Sequence, residues 1–421
     1  IMAKEDGAGL CPLSRNRTWL RRPPGRKKEE NSIMIDYSKI VPQRVATLKP
    51  SGIRKFFDVA ATMEDVVSLG VGEPDFVTPE HIRNAGIKCI LDGKTAYTAN
   101  YGLMELRRGI SAYLEKRFDL SYHPEKEVLV TVGGSEAIDL CMSALIDDGD
   151  EVLLPEPAFV SYAPLAIAQR GVPVIIDTKE EDSFKLTAQA LKAAITPKTK
   201  LLVFSYPNNP TGAIMTKEEM EEIAAVLRDT NIVVISDEIY AELTYGRRHV
   251  SIATLPGMRE RTVVVSGFSK AFSMTGWRLG YCCAPVELMT SLGRLHQYKL
   301  MCASTMSQQA ALEAINNGIP DIEYMREKFD ERRLYLHKAL IDLGFECFLP
   351  EGAFYMFPSI RRFAQSSEQF CADLLNAQRV AVVPGNAFGD CGEGHVRISY
   401  AYSLESLKVA MERIEKFVNK K

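Results

Sequence analysis

No Cys-x-x-Cys and no His-x-x-x-His spacing occurs in the 421 residues. The nine cysteines are odd in number, so neither a disulfide framework nor a zinc ribbon is expected, and no metal site is encoded. No apolar run approaches the roughly 20 residues that a membrane helix requires. Neither sign of charge is in excess, since 51 Lys/Arg against 54 Asp/Glu leave a net −3. A nucleic-acid partner calls for a basic surplus, and there is none. Internal repeats and low-complexity segments are missing too. What remains is 46% hydrophobic and 25% charged, the balance of a soluble, cytoplasmic globular protein. The length suits one large domain and a smaller one.

Residues 1–33 stand apart. They carry eight Lys/Arg against four Asp/Glu, a Pro-Pro-Gly at 23–25 and no hydrophobic periodicity. The apolar core of a secretory signal is missing, and the segment is too acidic and too poor in serine for a transit peptide. The purine-rich codons behind Lys27-Lys28-Glu29-Glu30 suit a ribosome-binding site ahead of Met34. Residues 1–33 are therefore expected to be translated upstream sequence and disordered.

From about 60 to 300, apolar runs at 128–132, 152–154, 173–176, 201–205, 232–236, 262–266 and 279–283 alternate with helical patterns. The clearest of these lie at 103–119, 135–146, 187–195 and 216–229. Short β-rich runs with helical crossovers predict a large α/β domain over 60–300, its mostly parallel sheet buried on both faces. Helical patterns at 305–317 and 320–342, strand runs near 345–348, 353–357 and 380–383, and a helix at 404–419 follow. They predict a smaller α+β domain built from 34–59 and 301–421.

Ligands of such sheets bind beyond the carboxyl ends of the strands, and four ends carry unusual sequence. Gly133-Gly134-Ser135-Glu136 opens a helix with free N–H groups that suit a phosphate, though alone it reads better as a tight capped turn. Tyr206-Pro207-Asn208-Asn209-Pro210-Thr211-Gly212 is a rigid loop able to aim an amide, or a structural turn. Asp237, ahead of Glu238-Ile239-Tyr240, either caps the next helix or holds a buried charge. The fourth end says more. Lys270 closes a buried strand among Phe268, Phe272, Met274 and Trp277, where desolvation makes a nucleophilic amine. Arg278 adds a permanent cation of the kind that grips phosphate. Together these groups suit pyridoxal 5′-phosphate.

The run from Ser269 to Gly280, Ser-Lys-Ala-Phe-Ser-Met-Thr-Gly-Trp-Arg-Leu-Gly, resembles the signature of class I/II (fold type I) aminotransferases. Gly70-Val-Gly-Glu-Pro-Asp75, Tyr97, Gly134-Ser135, Asn209-Pro-Thr-Gly212, Asp237-x-x-Tyr240 and Arg397-Ile-Ser399 follow the family's order. The likeness spans about 36–420 and implies a seven-stranded large-domain sheet. Segments 51–56, 295–298 and 350–355 look most like bacterial N-acetyl-L,L-diaminopimelate and aromatic aminotransferases.

The resemblance implies roles residue by residue. Lys270 bonds the cofactor as an imine and shuttles the proton. Asp237 pairs with the ring nitrogen, Asn209 and Tyr240 with the ring oxygen, and Phe159 stacks on the ring face. Gly134, Ser135, Glu136, Ser269 and Arg278 surround the phosphate. Ser266 or Ser269 compensates for Gly267, where some members place a serine. Tyr97 reaches the phosphate of a second copy, which implies a homodimer. Arg397 holds the substrate carboxylate, with Gly72 and Asn209 beside it.

The implied reaction is ping-pong transfer of an amino group from an L-amino acid to a 2-oxo acid such as 2-oxoglutarate. No Arg falls in 297–304, where dicarboxylate-specific relatives place one, but Tyr298, Lys299 and Met301 do. Aromatic or N-acyl-diaminopimelate donors are therefore expected. A C–S β-lyase or a cyclase on the same scaffold fits Met274-Thr-Gly-Trp277 less well, and a cofactor-sensing regulator lacks room for a DNA-binding domain. A nicotinamide fingerprint fails because Asp75 stands where a glycine is required.

Overall fold

The computed structural model describes residues 35–49 and 63–419. The expectations about residues 1–33 and the likeness at 51–56 lie outside the described residues. The stretch ending at Ala46 is a unit of its own. Its described part holds a 3-10 turn, Tyr37–Lys39, capped by the Asp36 carboxylate, and one helical turn, Gln43–Ala46.

In the second unit, each of the seven apolar runs expected between 60 and 300 is a strand. After a short β1 (Val67–Ser68) come β2 (Val128–Thr131), β3 (Glu151–Glu156), β4 (Val172–Asp177) and β5 (Thr199–Ser205). Then follow β6 (Val233–Asp237), β7 (Thr262–Gly267) and β8 (Gly280–Cys283). Strands β2 to β8 form a seven-stranded sheet in the order β2-β8-β7-β6-β5-β3-β4, with only β8 antiparallel to its neighbours. Its central strands read as unbroken apolar runs because helices cover both faces.

Successive side chains alternate between those faces. Leu201, Val203, Ile235, Val263 and Val265 pack with the helix Gly133–Leu145. Leu202, Phe204 and Val234 pack with Lys217–Arg228, whose first turn is fixed by a Thr216–Glu219 capping box. Val128, Val130 and Val264 pack under Met104–Phe118. Each of these buried apolar side chains contributes roughly 1.5–3 kcal/mol.

Helices used below are numbered α1 (Glu80–Leu91), α2 (Met104–Phe118), α3 (Gly133–Leu145), α4 (Tyr162–Ala168) and α5 (Ala188–Ala194). The series continues with α6 (Lys217–Arg228), α7 (Val286–Lys299), α8 (Thr305–Asn317), α9 (Ile319–Asp342), α10 (Ser367–Gln378) and α11 (Leu404–Val418). The second layer combines α9, α10 and α11 with the strands β9 (Tyr355–Met356), β10 (Val380–Ala381), β11 (Val383–Pro384) and β12 (Val396–Ser399).

Two details depart from the expected boundaries. Helix α8, although beyond residue 300, packs on α1 and α2 through Ala310, Ala311 and Ala314. Strand β1 pairs in parallel with β10, which ties 67–68 to the C-terminal layer. The run near 345–348 gives a single bridge, Glu346 to Ser359, and no strand.

Candidate active site

The carboxyl ends of β5, β6 and β7 converge with the start of α3 on a cavity of about 310 Å³. Asp237, the last residue of β6, is buried there. Its Oδ2 accepts a hydrogen bond from Tyr162 Oη at 2.7 Å and its Oδ1 accepts from the Ile239 N–H at 3.2 Å. Past β5, the Asn208 carboxamide oxygen accepts from Thr211 N (3.1 Å) and Thr211 Oγ1 (2.8 Å), closing a turn that aims Asn209 inward. Past β7, Lys270 donates from Nζ to the Gly72 carbonyl at 2.5 Å.

From the second layer comes Arg397, only 3% exposed. It donates to Asn209 Oδ1 at 2.8 Å and to the Gly70 carbonyl at 2.5 Å, and lies against the rings of Tyr355 (4.4 Å) and Phe388 (4.7 Å).

Two features test the fit of a pyridoxal phosphate with an amino acid. Arg397 makes no ion pair among the described residues, and its buried Nε has no hydrogen-bond partner. A buried guanidinium held only by neutral oxygens is left with its charge uncompensated, which a ligand carboxylate satisfies. At the head of α3, Gly133 has φ +75° and a Cβ there would stand 2.8 Å from Arg278 Nη2. The Arg278 guanidinium therefore lies directly against the N-terminus of α3, where N–H groups and cation converge as a phosphate cradle. The residues fit the cofactor.

Electrostatics agree with the chemistry. Burial, reinforced by the Arg397 charge, pushes Lys270 down to about 8. Burial raises Asp237, while its bonds from Tyr162 and Ile239 pull the other way. Burial also pushes Tyr162 and Tyr240 well up, so both remain neutral donors.

Gly72, Gly134, Ser135, Phe159, Asn209, Asp237, Tyr240, Ser269, Lys270, Arg278 and Arg397 all line the cavity. Three expected residues do not. Ser266 is corrected: its Oγ donates to the Glu238 carbonyl at 3.3 Å, because strand alternation turns it away, which leaves Ser269 at the cavity. Glu136 accepts from the Val132 N–H and faces His296 Nδ1 at 3.0 Å, bracing the helix start. Tyr97 is 81% exposed.

Gly267 has a packing reason. A Cβ there would stand 2.9 Å from Gly280 Cα, and one at Gly280 would stand 2.6 Å from the Gly133 carbonyl carbon. Sequence reasoning gave no role to Tyr162, Ser205, Thr275 or Tyr355, which also line the cavity. For Tyr355 the aromatic cluster Phe354-Tyr355 was visible, but nothing said which ring would face in.

Fold and site define a pyridoxal-phosphate enzyme of fold type I. A family model, aminotransferase class I and II, matches residues 64–414, and the chain belongs to that family. Bacillus subtilis YugH, a provisionally named aminotransferase, is 52% identical over 89% of this chain and 97% of its own. The probable N-acetyl-LL-diaminopimelate aminotransferase of the same organism is 45% identical over 88% and 94%. The solved aromatic aminotransferase of Pyrococcus horikoshii shares 44% identity and a TM-score of 0.83, covering 87% of this chain and 99% of that one. Other relatives at similar distance are named as aspartate aminotransferases. The chain is a pyridoxal-phosphate-dependent aminotransferase.

Proposed function

We propose that the enzyme moves the amino group of an aromatic or N-acyl-diaminopimelate-type L-amino acid to a 2-oxo acid, 2-oxoglutarate, by a ping-pong route. It does so as a cytoplasmic homodimer with shared sites. The observation that carries the amino-acid reading is Arg397, a buried cation with a free Nε. Bound pyridoxal phosphate supplies an electron sink next to the substrate Cα.

The chain's own groups do the rest. Lys270 Nζ, held near neutrality by burial, takes and returns the Cα proton. Asp237 holds the ring nitrogen, Asn209 and Tyr240 the ring oxygen, and Phe159 one ring face. Gly134, Ser135, Ser269 and Arg278 bind the phosphate, and Arg397 grips the substrate carboxylate with Gly72 beside it. The exposed Tyr97 is available to the phosphate of a second copy.

The donor preference rests on residues 297–304. Tyr298 and Met301 are exposed, at 85% and 56%, while the Lys299 ammonium is spent on Asp139 (2.6 Å) and Ser143 (2.7 Å). That surface offers aromatic and thioether area without a free guanidinium for a distal carboxylate. A steady-state panel tests it. kcat/KM with phenylalanine, tyrosine or N-acetyl-diaminopimelate should exceed that with aspartate, and the reverse order defeats the donor assignment. Lys270→Ala should abolish turnover with every donor, and near-wild-type turnover would defeat the amino-transfer reading itself.

A further inference from the structure

Among the buried side chains that the roles above leave unused is Tyr355, 1% exposed, at the start of β9. Its hydroxyl lies 2.8 Å from the Tyr240 hydroxyl. Its ring lies under the Arg397 guanidinium, at 4.4 Å from the ring centroid. It also crowds Gly72, where a Cβ would stand 2.5 Å from the Tyr355 oxygen. Gly72 in turn gives its carbonyl to Lys270. One rigid aromatic therefore touches the substrate-carboxylate grip, the ring-oxygen donor and the strap that holds the lysine.

The geometry points to Tyr355 as a positioning residue with two separable functions, its hydroxyl tuning Tyr240 and its ring holding Arg397. This rests on the assignment of Tyr240 to the cofactor ring oxygen and of Arg397 to the substrate carboxylate. Tyr240 spends its one proton on the ring oxygen, so in the loaded enzyme the Tyr355 hydroxyl donates to Tyr240. A donor behind a donor strengthens it by polarisation. A strengthened Tyr240 would stabilise negative charge on the ring oxygen and so lower the pH at which the bound cofactor's visible absorbance changes. The ring acts differently. Its negative face offsets part of the desolvation of Arg397 and fixes the plane in which the guanidinium meets a carboxylate.

Two variants separate these functions in the holoenzyme. Tyr355→Phe keeps the ring and removes the hydroxyl. The pH midpoint of the visible absorbance of bound cofactor should rise by several tenths of a unit, with KM for the amino donor within about twofold of wild type. Tyr355→Leu removes the ring. KM for the donor and the inhibition constant of an unreactive monocarboxylate such as 3-phenylpropionate should both rise about tenfold, the size expected for a desolvated cation–π contact. An unmoved midpoint in Tyr355→Phe, or unmoved carboxylate affinity in Tyr355→Leu, overturns the inference. A residue that merely fills space would lower the melting temperature in both variants while leaving midpoint and affinity alone. Tyr240→Phe is the control. If it too leaves the midpoint unmoved, the assignment of Tyr240 fails rather than that of Tyr355.

Discussion

Arg397→Met should separate folding from function at one position. In the wild type the guanidinium is buried, with Asn209 Oδ1 and the Gly70 carbonyl as its hydrogen-bond acceptors. Removing a buried, unneutralised cation relieves a desolvation cost of several kcal/mol. The same change strips donors from two buried oxygens, at about 1–3 kcal/mol each. Methionine conserves much of the volume and packs on the Tyr355 and Phe388 rings. The two effects oppose each other at similar size, so the melting temperature should move by only a few degrees.

Binding has no such compensation. A bidentate, charge-assisted grip on a carboxylate is worth about 3–5 kcal/mol to a partner that loses it. At about 1.4 kcal/mol per decade, kcat/KM for amino acids should fall roughly 10²- to 10³·⁵-fold. Differential scanning fluorimetry and steady-state kinetics on the same preparation read both effects. A fall in kcat/KM of less than about fivefold would refute the carboxylate assignment. A melting temperature lowered by more than about 10 °C would show that Arg397 holds the fold together.

Two further outcomes follow from the titrating groups. Lys270 must be neutral to attack, and its pKa lies at about 8, so the neutral form grows with pH until that point and then saturates. Cofactor uptake by the apoprotein, followed by absorbance, should rise about tenfold per pH unit below 8 and level above it, whereas an unperturbed lysine would keep climbing toward roughly 10.4. Asp237→Asn should still bind cofactor, since the Ile239 N–H can hold the amide oxygen and the Tyr162 hydroxyl oxygen can accept from the amide nitrogen. Single-turnover conversion should nevertheless drop at least about a hundredfold, and an unchanged rate would reduce Asp237 to a cap.

The sheet was legible because its physics is local. Runs such as Leu201–Ser205 and Val233–Ser236 are apolar on both faces, which only a strand covered twice requires. The lysine at 270 was legible for the same reason, since a charge placed at the end of such a run is unusual. The partner of helix α8 is not legible in its sequence, because its alanine face would pack against any helix and periodicity does not name the partner. Ser266 and Ser269 are told apart by structure alone, since the register of β7 turns Ser266 to the Glu238 carbonyl while Ser269, past the strand end, lines the cavity. The pairs Tyr162–Asp237 and Tyr355–Tyr240 join residues 75 and 115 positions apart, and no local pattern announces them.

The least visible part of the site is main chain. Gly70 and Gly72 present carbonyls to Arg397 and Lys270 across sequence separations of 327 and 198 residues. Carboxylates in those places would also have positioned the two cations, with stronger bonds. They would have neutralised Arg397 and raised the proton affinity of Lys270. A carbonyl orients a cation through one lone pair and leaves its net charge in place. Lys270 therefore stays deprotonatable near 8 and Arg397 keeps a full charge for a ligand. The strap must come close enough for its backbone to reach, which bulk forbids at residue 72, where the Tyr355 hydroxyl already fills the space of a Cβ. The glycine that the sequence offers as part of a binding motif is thus needed for what it lets two other side chains do.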